Sequence, residues 1–315
     1  MALNANITEF AGKPVVDWDV ESGVADPASN NYRIRIRIGW EGNQEKLSWL
    51  EKFDAFLNHP ASSQATGLVV GVWGGLRQME DEAGPIVEAI VAAREKLPNL
   101  TAIYFGDVTA EECQISWIIQ TDLSPLFTAY PTLEYFAARG GNGLSLGTPL
   151  LPLLRSLVIE TDGLDGEIVG SVTQADLPTL EHLELWLGTS GYDAAVTVED
   201  LKPILSGALF PRLKYLGFRN SEIADEIAVA LATAPILERI VTLDLSLGTL
   251  GDEGMEALLA SPTLKGLKKL DIHHHFCSET MVKRVEALDM EVNTDEREED
   301  DDDDVDEHRY VAVGE

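Results

Sequence analysis

Short alternating stretches of apolar and polar residues recur along this chain, and the residues between them switch to a period near 3.6. The segments LPNLTAIYFGD (97–107), YPTLEYFAARG (130–140), LPLLRSLVIET (151–161), LPTLEHLELWL (177–187) and FPRLKYLGFRN (210–220) share one frame: apolar, Pro, any residue, Leu, then alternation. ILERIVTLDLS (236–246) and TLKGLKKLDIH (263–273) keep the apolar positions without the proline. Each frame predicts a strand, with Leu180, Leu183 and Leu185 turned inward and His182, Glu184 and Trp186 outward. Between frames, 196–209, 222–235, 251–264 and 278–288 space their apolar residues as helices do, with Asp252 and Ser278 as N-cap candidates and Pro235 and Pro262 after the helical runs.

The frame positions Leu100, Leu133, Leu154, Leu180, Leu213, Ile240 and Leu267 lie 33, 21, 26, 33, 27 and 27 residues apart. The mean, about 28, falls within the period of strand-plus-helix repeats. GLVVGVWGG (67–75) lies 33 residues before the first frame and predicts an eighth strand. One such repeat cannot cover its own apolar stripe. The repeats are therefore expected to stack with strands parallel on a concave face and helices outside, a horseshoe-shaped α/β solenoid.

The repeat length, the helices and the phrase LDLSLGTLGDEGMEALLASPTLKGLKKLDIHH (243–274) resemble the ribonuclease-inhibitor-like subgroup of leucine-rich-repeat proteins, and bacterial repeat proteins of that type. The resemblance covers about residues 67–290. It implies a binding scaffold without naming what is bound. Where many such repeats bury an asparagine, this chain has Gly188, Ser221 and His275, which leaves the hydrogen bonding of those turns open.

Residues 1–64 predict a cap. KPVVDWDV (13–20) and NYRIRIRIG (31–39) alternate cleanly and read together as a β-hairpin, and KLSWLEKFDAFLNHP (46–60) reads as the first helix. Arg33, Arg35 and Arg37 alternate with Ile34, Ile36 and Ile38, which suits a wet outer face or an anion-binding stripe. Residues 65–290 hold the repeats, and 291–315 read as an acidic, mostly disordered tail. Within that tail Tyr310, Val311 and Val313 alternate, so they are expected to dock back as an added strand.

Charge narrows the partners. Net charge is −31, and residues 295–307 carry 11 of the 54 acidic side chains and one arginine, which leaves −21 on the rest. Such a field repels phosphate backbones and anionic lipids, so nucleic acid and membranes are not expected as partners and a basic protein is favoured. No apolar run reaches transmembrane length and no leader pattern opens the chain, which predicts a cytoplasmic protein. Cys113 and Cys277 are too few for a disulfide framework.

If the register is uniform, the outward positions form three rows. Gly71, Tyr104, Ala137, Val158, Glu184, Gly217, Asp244 and Asp271 make the central one. Trp73, Gly106, Arg139, Glu160, Trp186, Arg219, Ser246 and His273 follow it, and Tyr135, His182, Tyr215 and Lys269 precede it. Trp, Tyr and Arg concentrate binding energy. The candidate partner-binding residues are therefore Trp73, Tyr104, Tyr135, Arg139, Glu160, His182, Glu184, Trp186, Tyr215 and Arg219, and the expected ligand is a protein or peptide. The alternative is a regulator of an enzyme, since the acidic tail on this architecture resembles activators of small GTPases.

Catalytic signatures are not found. His273, His274, His275 and Cys277 form a histidine-rich cluster, but adjacent strand residues face opposite ways and the spacing matches no strong zinc pattern. GVWGGLRQ (71–78) and RGGNG (139–143) lack the phosphate-loop frames. No cofactor, no metal and no enzymatic activity are expected.

Overall fold

The computed structural model describes residues 3–21, 23–37, 46–74, 83–192, 194–299 and 309–314. The chain folds as two compact units, Met1–Ile159 with Gln174–Leu177, and Glu160–Thr173 with Pro178–Glu315. In both, strands follow one another in sequence order and, after an antiparallel hairpin that opens the first unit, pair in parallel, the arrangement of a leucine-rich-repeat-like α/β solenoid.

In the N-terminal unit the strands are β1 (Glu9–Phe10), β2 (Lys13–Asp17), β3 (Asn31–Ile34), β4 (Gly67–Val70), β5 (Ala102–Phe105), β6 (Tyr135–Arg139) and β7 (Ser156–Glu160), whose last residue belongs to the second unit. Helices α1 (Trp49–Leu57), α2 (Gly84–Ala92) and α3 (Ser124–Ala129) lie between them in sequence. A hairpin does open the chain, but it joins β1 to β2 across Ala11 and Gly12, both at positive φ. The strands expected to form it, 13–20 and 31–39, are instead β2 and β3, and they pair in parallel, Val15 opposite Asn31. Thirteen residues separate them, enough to carry the chain back across the sheet and far more than a tight turn uses. Ile38 lies outside the described residues.

Helix α1 shows how sequence sets an end. Ser48 and Glu51 form a reciprocal capping box, Glu51 N donating to Ser48 Oγ at 3.3 Å and Ser48 N to the Glu51 carboxylate at 2.8 Å. The helix buries Trp49, Phe53 and Phe56, and also Lys52, whose Nζ reaches the carbonyl of Arg35 at 2.8 Å. A buried amine is tolerated here because it keeps a hydrogen-bond partner.

The C-terminal unit contains β8 (His182–Gly188), β9 (Tyr215–Ser221), β10 (Thr242–Asp244), β11 (Lys269–Asp271) and β12 (Glu291–Asn293). Its helices are α4 (Gly166–Gln174, whose last residue belongs to the first unit), α5 (Val198–Leu205), α6 (Ala224–Leu231), α7 (Asp252–Ala260) and α8 (Glu279–Glu286). Leu183, Leu185, Leu216, Phe218, Leu243, Leu245, Leu270 and Ile272 are buried completely and form its core. Ser278 caps α8 as expected, accepting from Met281 N at 3.2 Å. Asp252 does not cap α7: Gly251 holds that position, and the Asp252 carboxylate accepts from Ser278 N at 2.8 Å instead. Residues 291–293, assigned to the tail by composition, extend the sheet by pairing with β11. The acidic run 300–307 lies outside the described residues.

The turns that lack asparagine are closed by substitutes. Ser221 Oγ accepts from Ile223 N at 3.2 Å, and His275 Nδ1 accepts from Cys277 N at 3.1 Å. Each takes the backbone N–H two residues on, as an asparagine side chain does in an Asx-turn. Gly188 meets the need differently. Its φ is +72°, and a Cβ there would lie 1.7 Å from the carbonyl oxygen of Asp162, so the backbone itself closes the contact.

Candidate interaction face

Five of the ten candidate residues come together on the outward side of β8 and β9. The ladder sets Glu184 level with Gly217 and Asp244, His182 level with Tyr215 and Thr242, and Trp186 level with Arg219. Glu184 is buried, and its carboxylate gathers four donors: Trp186 Nε1 at 2.7 Å and Arg219 Nη1 at 2.7 Å on one oxygen, His182 Nε2 at 3.2 Å and Tyr215 Oη at 3.3 Å on the other. Burial alone would raise its pKa. The bonds from His182 and Trp186 and the Arg219 charge outweigh that and hold it at about 2, against an ordinary 4.5.

Gly217 makes the meeting possible. With no side chain in the central row, the Tyr215 phenol leans across and shares its one O–H hydrogen between Glu184 and Asp244, the latter the nearer acceptor at 2.6 Å. A Cβ at 217 would stand 3.1 Å from the tyrosine ring and 3.3 Å from Cγ of Glu184. Burial and the flanking carboxylates keep that phenol protonated far above its ordinary range. Burial opposes the charge of Arg219, but Glu184 and Asp244 secure it, and its guanidinium sits 5.1 Å from the Trp186 ring centroid. His182 stacks on Tyr215 at 3.8 Å between centroids, its side chain one-third exposed.

The cluster continues onto β11 and β12. Asp271 accepts from His273 Nδ1 at 2.7 Å and Asn293 Nδ2 at 3.3 Å, and Lys269 pairs with Glu291 at 3.1 Å. Asp244 and Asp271 stood in the outward row of the sequence without being singled out, since single acids carry little information in so acidic a chain. The signal available was their repetition at one register. The arrangement fixes charges rather than moving protons: Glu184 is driven down and Tyr215 up, away from neutrality, the reverse of what general acid–base chemistry needs.

In the N-terminal unit the corresponding face is covered by the chain itself. Ile7 and Phe10 pack over Val69, Tyr104 and Ala137, with Val15 and Val158 beside them. Phe10 meets the ring of Tyr104 edge-on at 5.6 Å and that of Tyr135 at 6.5 Å. Polar bonds pin the segment: Arg33 binds the carbonyl of Ile7 and, at 2.5 Å, the carboxylate of Asp107, which accepts from Ile7 N at 3.2 Å. Arg35 reaches Asn6 at 2.7 Å. The arginine stripe is therefore spent on the chain's own groups, with Asp17 at 3.0 Å from Arg33 and 2.7 Å from Arg35 and Glu112 at 3.0 Å from Arg35.

Tyr104 and Arg139 are consequently buried, not exposed, and Arg139 donates to Tyr104 Oη at 2.8 Å and to the carbonyl of Val108 at 2.6 Å. Tyr135 keeps partial exposure. Trp73 falls outside the outward rows: the ladder sets Val69, not Gly71, level with Tyr104, and the Trp73 ring packs 5.5 Å from core Phe105. Glu160 is buried at the end of β7. Residues 75–78 of the glycine-rich stretch lie outside the described residues.

The histidines beyond β11 are engaged separately. His273 binds Asp271, His274 Nε2 lies 3.1 Å from the carbonyl of Tyr310, and His275 Nε2 lies 3.2 Å from that of Thr294. Because His275 Nδ1 accepts, its proton sits on Nε2, and burial lowers its pKa, keeping the ring neutral. No group of three or more potential metal ligands forms among the described residues.

Residues 309–314 do dock back, but not as a strand. Both edges of β9, β10 and β11 are already paired, so the segment crosses the strand ends: Ala312 N donates to the carbonyl of Leu247 at 2.8 Å, and Val311 and Val313 are buried. No helix among the described residues is long and apolar enough to cross a membrane.

No protein-family model matches this sequence, and neither does any curated protein. Among solved structures the chain is similar to a protein of Bacteroides fragilis, with 28% identity and a TM-score of 0.79 over 89% of this chain and 76% of that one. It also matches an internalin from Listeria monocytogenes at 17% identity and a TM-score of 0.41, over 84% of this chain and 65% of that one.

Proposed function

We propose that this chain is a cytoplasmic protein-interaction scaffold laid out as in ribonuclease-inhibitor-like repeats, and that it binds a basic protein or peptide on the outward face of β8–β11. The observation that carries this is the Glu184 cluster. Its charges are fixed by mutual hydrogen bonds before any partner arrives, and His182 and Tyr215 stand stacked at its surface. Preorganised charged groups bordered by aromatic rings are what a recognition surface needs, because little ordering remains to be done on binding. The face carries Glu184, Asp244 and Asp271 in one row, so its field favours a cationic ligand and disfavours nucleic acid. The face of the N-terminal unit, occupied by Ile7 and Phe10, has no such part in this reading.

The test is added positive charge at partly exposed edges of the face. His182→Lys with Thr242→Lys keeps a donor toward the carboxylates and buries no new charge, whereas Glu199→Lys alters only an exposed helix position. Captured from a lysate on the immobilised full chain, the basic partner should be lost from the double variant and kept by Glu199→Lys. Identical bound proteins on the wild type and the double variant would refute the assignment of this face.

A further inference from the structure

Residues 309–314 lie across three successive repeats like a bound peptide. Asn220, Leu247 and His274 occupy equivalent positions 27 residues apart, Asn220 at the end of β9 just before Ser221 and the other two just past β10 and β11, and all three have left-handed backbones, with φ of +51°, +66° and +54°. Side chains seldom adopt that conformation unless surrounding contacts impose it. Each of the three holds the segment. His274 Nε2 is 3.1 Å from the carbonyl of Tyr310, the Leu247 carbonyl accepts from Ala312 N at 2.8 Å, and Asn220 grips Val313 at both backbone atoms. Its Nδ2 donates to the Val313 carbonyl at 2.7 Å and its Oδ1 accepts from Val313 N at 3.0 Å.

The side chains supply the selectivity that these backbone bonds lack. Arg309 lines an acidic cavity of about 880 Å³ together with Glu222, Asp225, Glu226 and Glu253, and pairs with Asp225 at 2.8 Å. Gly251 leaves room for the guanidinium, since a Cβ there would stand 2.2 Å from Arg309 Nη1. Tyr310 sets its ring edge-on against His274 and Phe276, each at 5.4 Å, while Val311 and Val313 are buried. A cation, an aromatic ring and alternating small apolar residues are thus read in order. The segment is joined to Glu299 by nine residues, seven of them acidic.

We propose that the strand ends at Asn220, Leu247 and His274 form a peptide-recognition groove which the chain's own C-terminus plugs, and that a partner presenting the same Arg-Tyr-Val-Ala-Val pattern displaces the plug. A tethered occupant competes at millimolar effective concentration, so a free peptide binds measurably only when the plug is weakened. This groove shares no residue with the Glu184 cluster, and its failure would leave the reading of that face untouched.

The experiment uses the full-length chain and a fluorescein-labelled peptide of sequence HRYVAVGE, followed by anisotropy. Val311→Asp with Val313→Asp undocks the plug, and this variant should bind the peptide at least ~100-fold more tightly than the wild type does. Adding Asn220→Gly, which suits the positive φ but removes both backbone bonds, should weaken that binding at least ~10-fold. Arg309→Ala with Tyr310→Ala is the second undocking variant, used if circular dichroism shows the first unfolded. Equal affinity for wild-type and undocked chains, no binding to either undocked chain, or indifference to Asn220→Gly would overturn the proposal.

Discussion

Replacing Glu184 with glutamine isolates the charge at the centre of the outward cluster, because the amide keeps the shape and much of the hydrogen bonding of the carboxylate. Its oxygen can still accept from Trp186 and Arg219, each 2.7 Å away, and its NH2 can donate to His182 and Tyr215. What is lost is the preference for the ionised form, seen as a pKa held at about 2 rather than 4.5. That displacement corresponds to about 3 kcal/mol. The sign follows from a carboxyl lowered on folding: the stabilisation is complete above the unfolded value of 4.5 and disappears as pH falls through 2. Glutamine, which mimics the protonated state, never has it. Urea titrations followed by circular dichroism should therefore place Glu184→Gln about 3 kcal/mol below the wild type at pH 7, and about half as far below at pH 3. A gap that does not change with pH, or one under about 1 kcal/mol at neutrality, would show that the four donors do not hold a charge.

Two further outcomes test the rest of the fold. Phe10→Ala removes the edge-on contacts to Tyr104 and Tyr135 from a half-buried ring, and should cost about 1–2 kcal/mol while raising amide exchange at residues 3–10; unchanged protection there would show that the segment is held without it. Cys277 is fully buried, and burial raises its thiol pKa to about 12, so it should resist iodoacetamide at pH 8 until the chain is unfolded; rapid native labelling would contradict its placement.

The repeat was legible because its signal is doubled: period 2 within each frame and period 3.6 between frames. The strand directions were less so. Alternation is the same in parallel and antiparallel pairs, so 13–20 and 31–39 read as a hairpin, although the length of their connection already argued for a crossover. A second ambiguity explains Trp73. In GLVVGVWGG apolar residues occupy both faces, and sliding the strand by two preserves which side chains point outward while changing the row they occupy. The ladder settles it at Val69, and Trp73 leaves the face.

The larger difference lies in what covers the sheet. Ile7 and Phe10 are isolated apolar residues in a polar stretch, with neither a helical nor a strand period to mark them, yet they take up the outward side of β4–β6. The arginines that fix them were visible as an alternating stripe, but a stripe gives no hint of its partner, and Asp107, 74 residues from Arg33, is the group that matters. In the C-terminal unit the same outward positions hold Glu184, Arg219 and Asp244 bonded to one another. Apolar residues in the first unit call for a cover, which the chain supplies; charged residues in the second satisfy each other and leave His182 and Tyr215 at the surface. One repeat architecture thus closes one face and keeps another open, and the choice is made by which residue types occupy the central row.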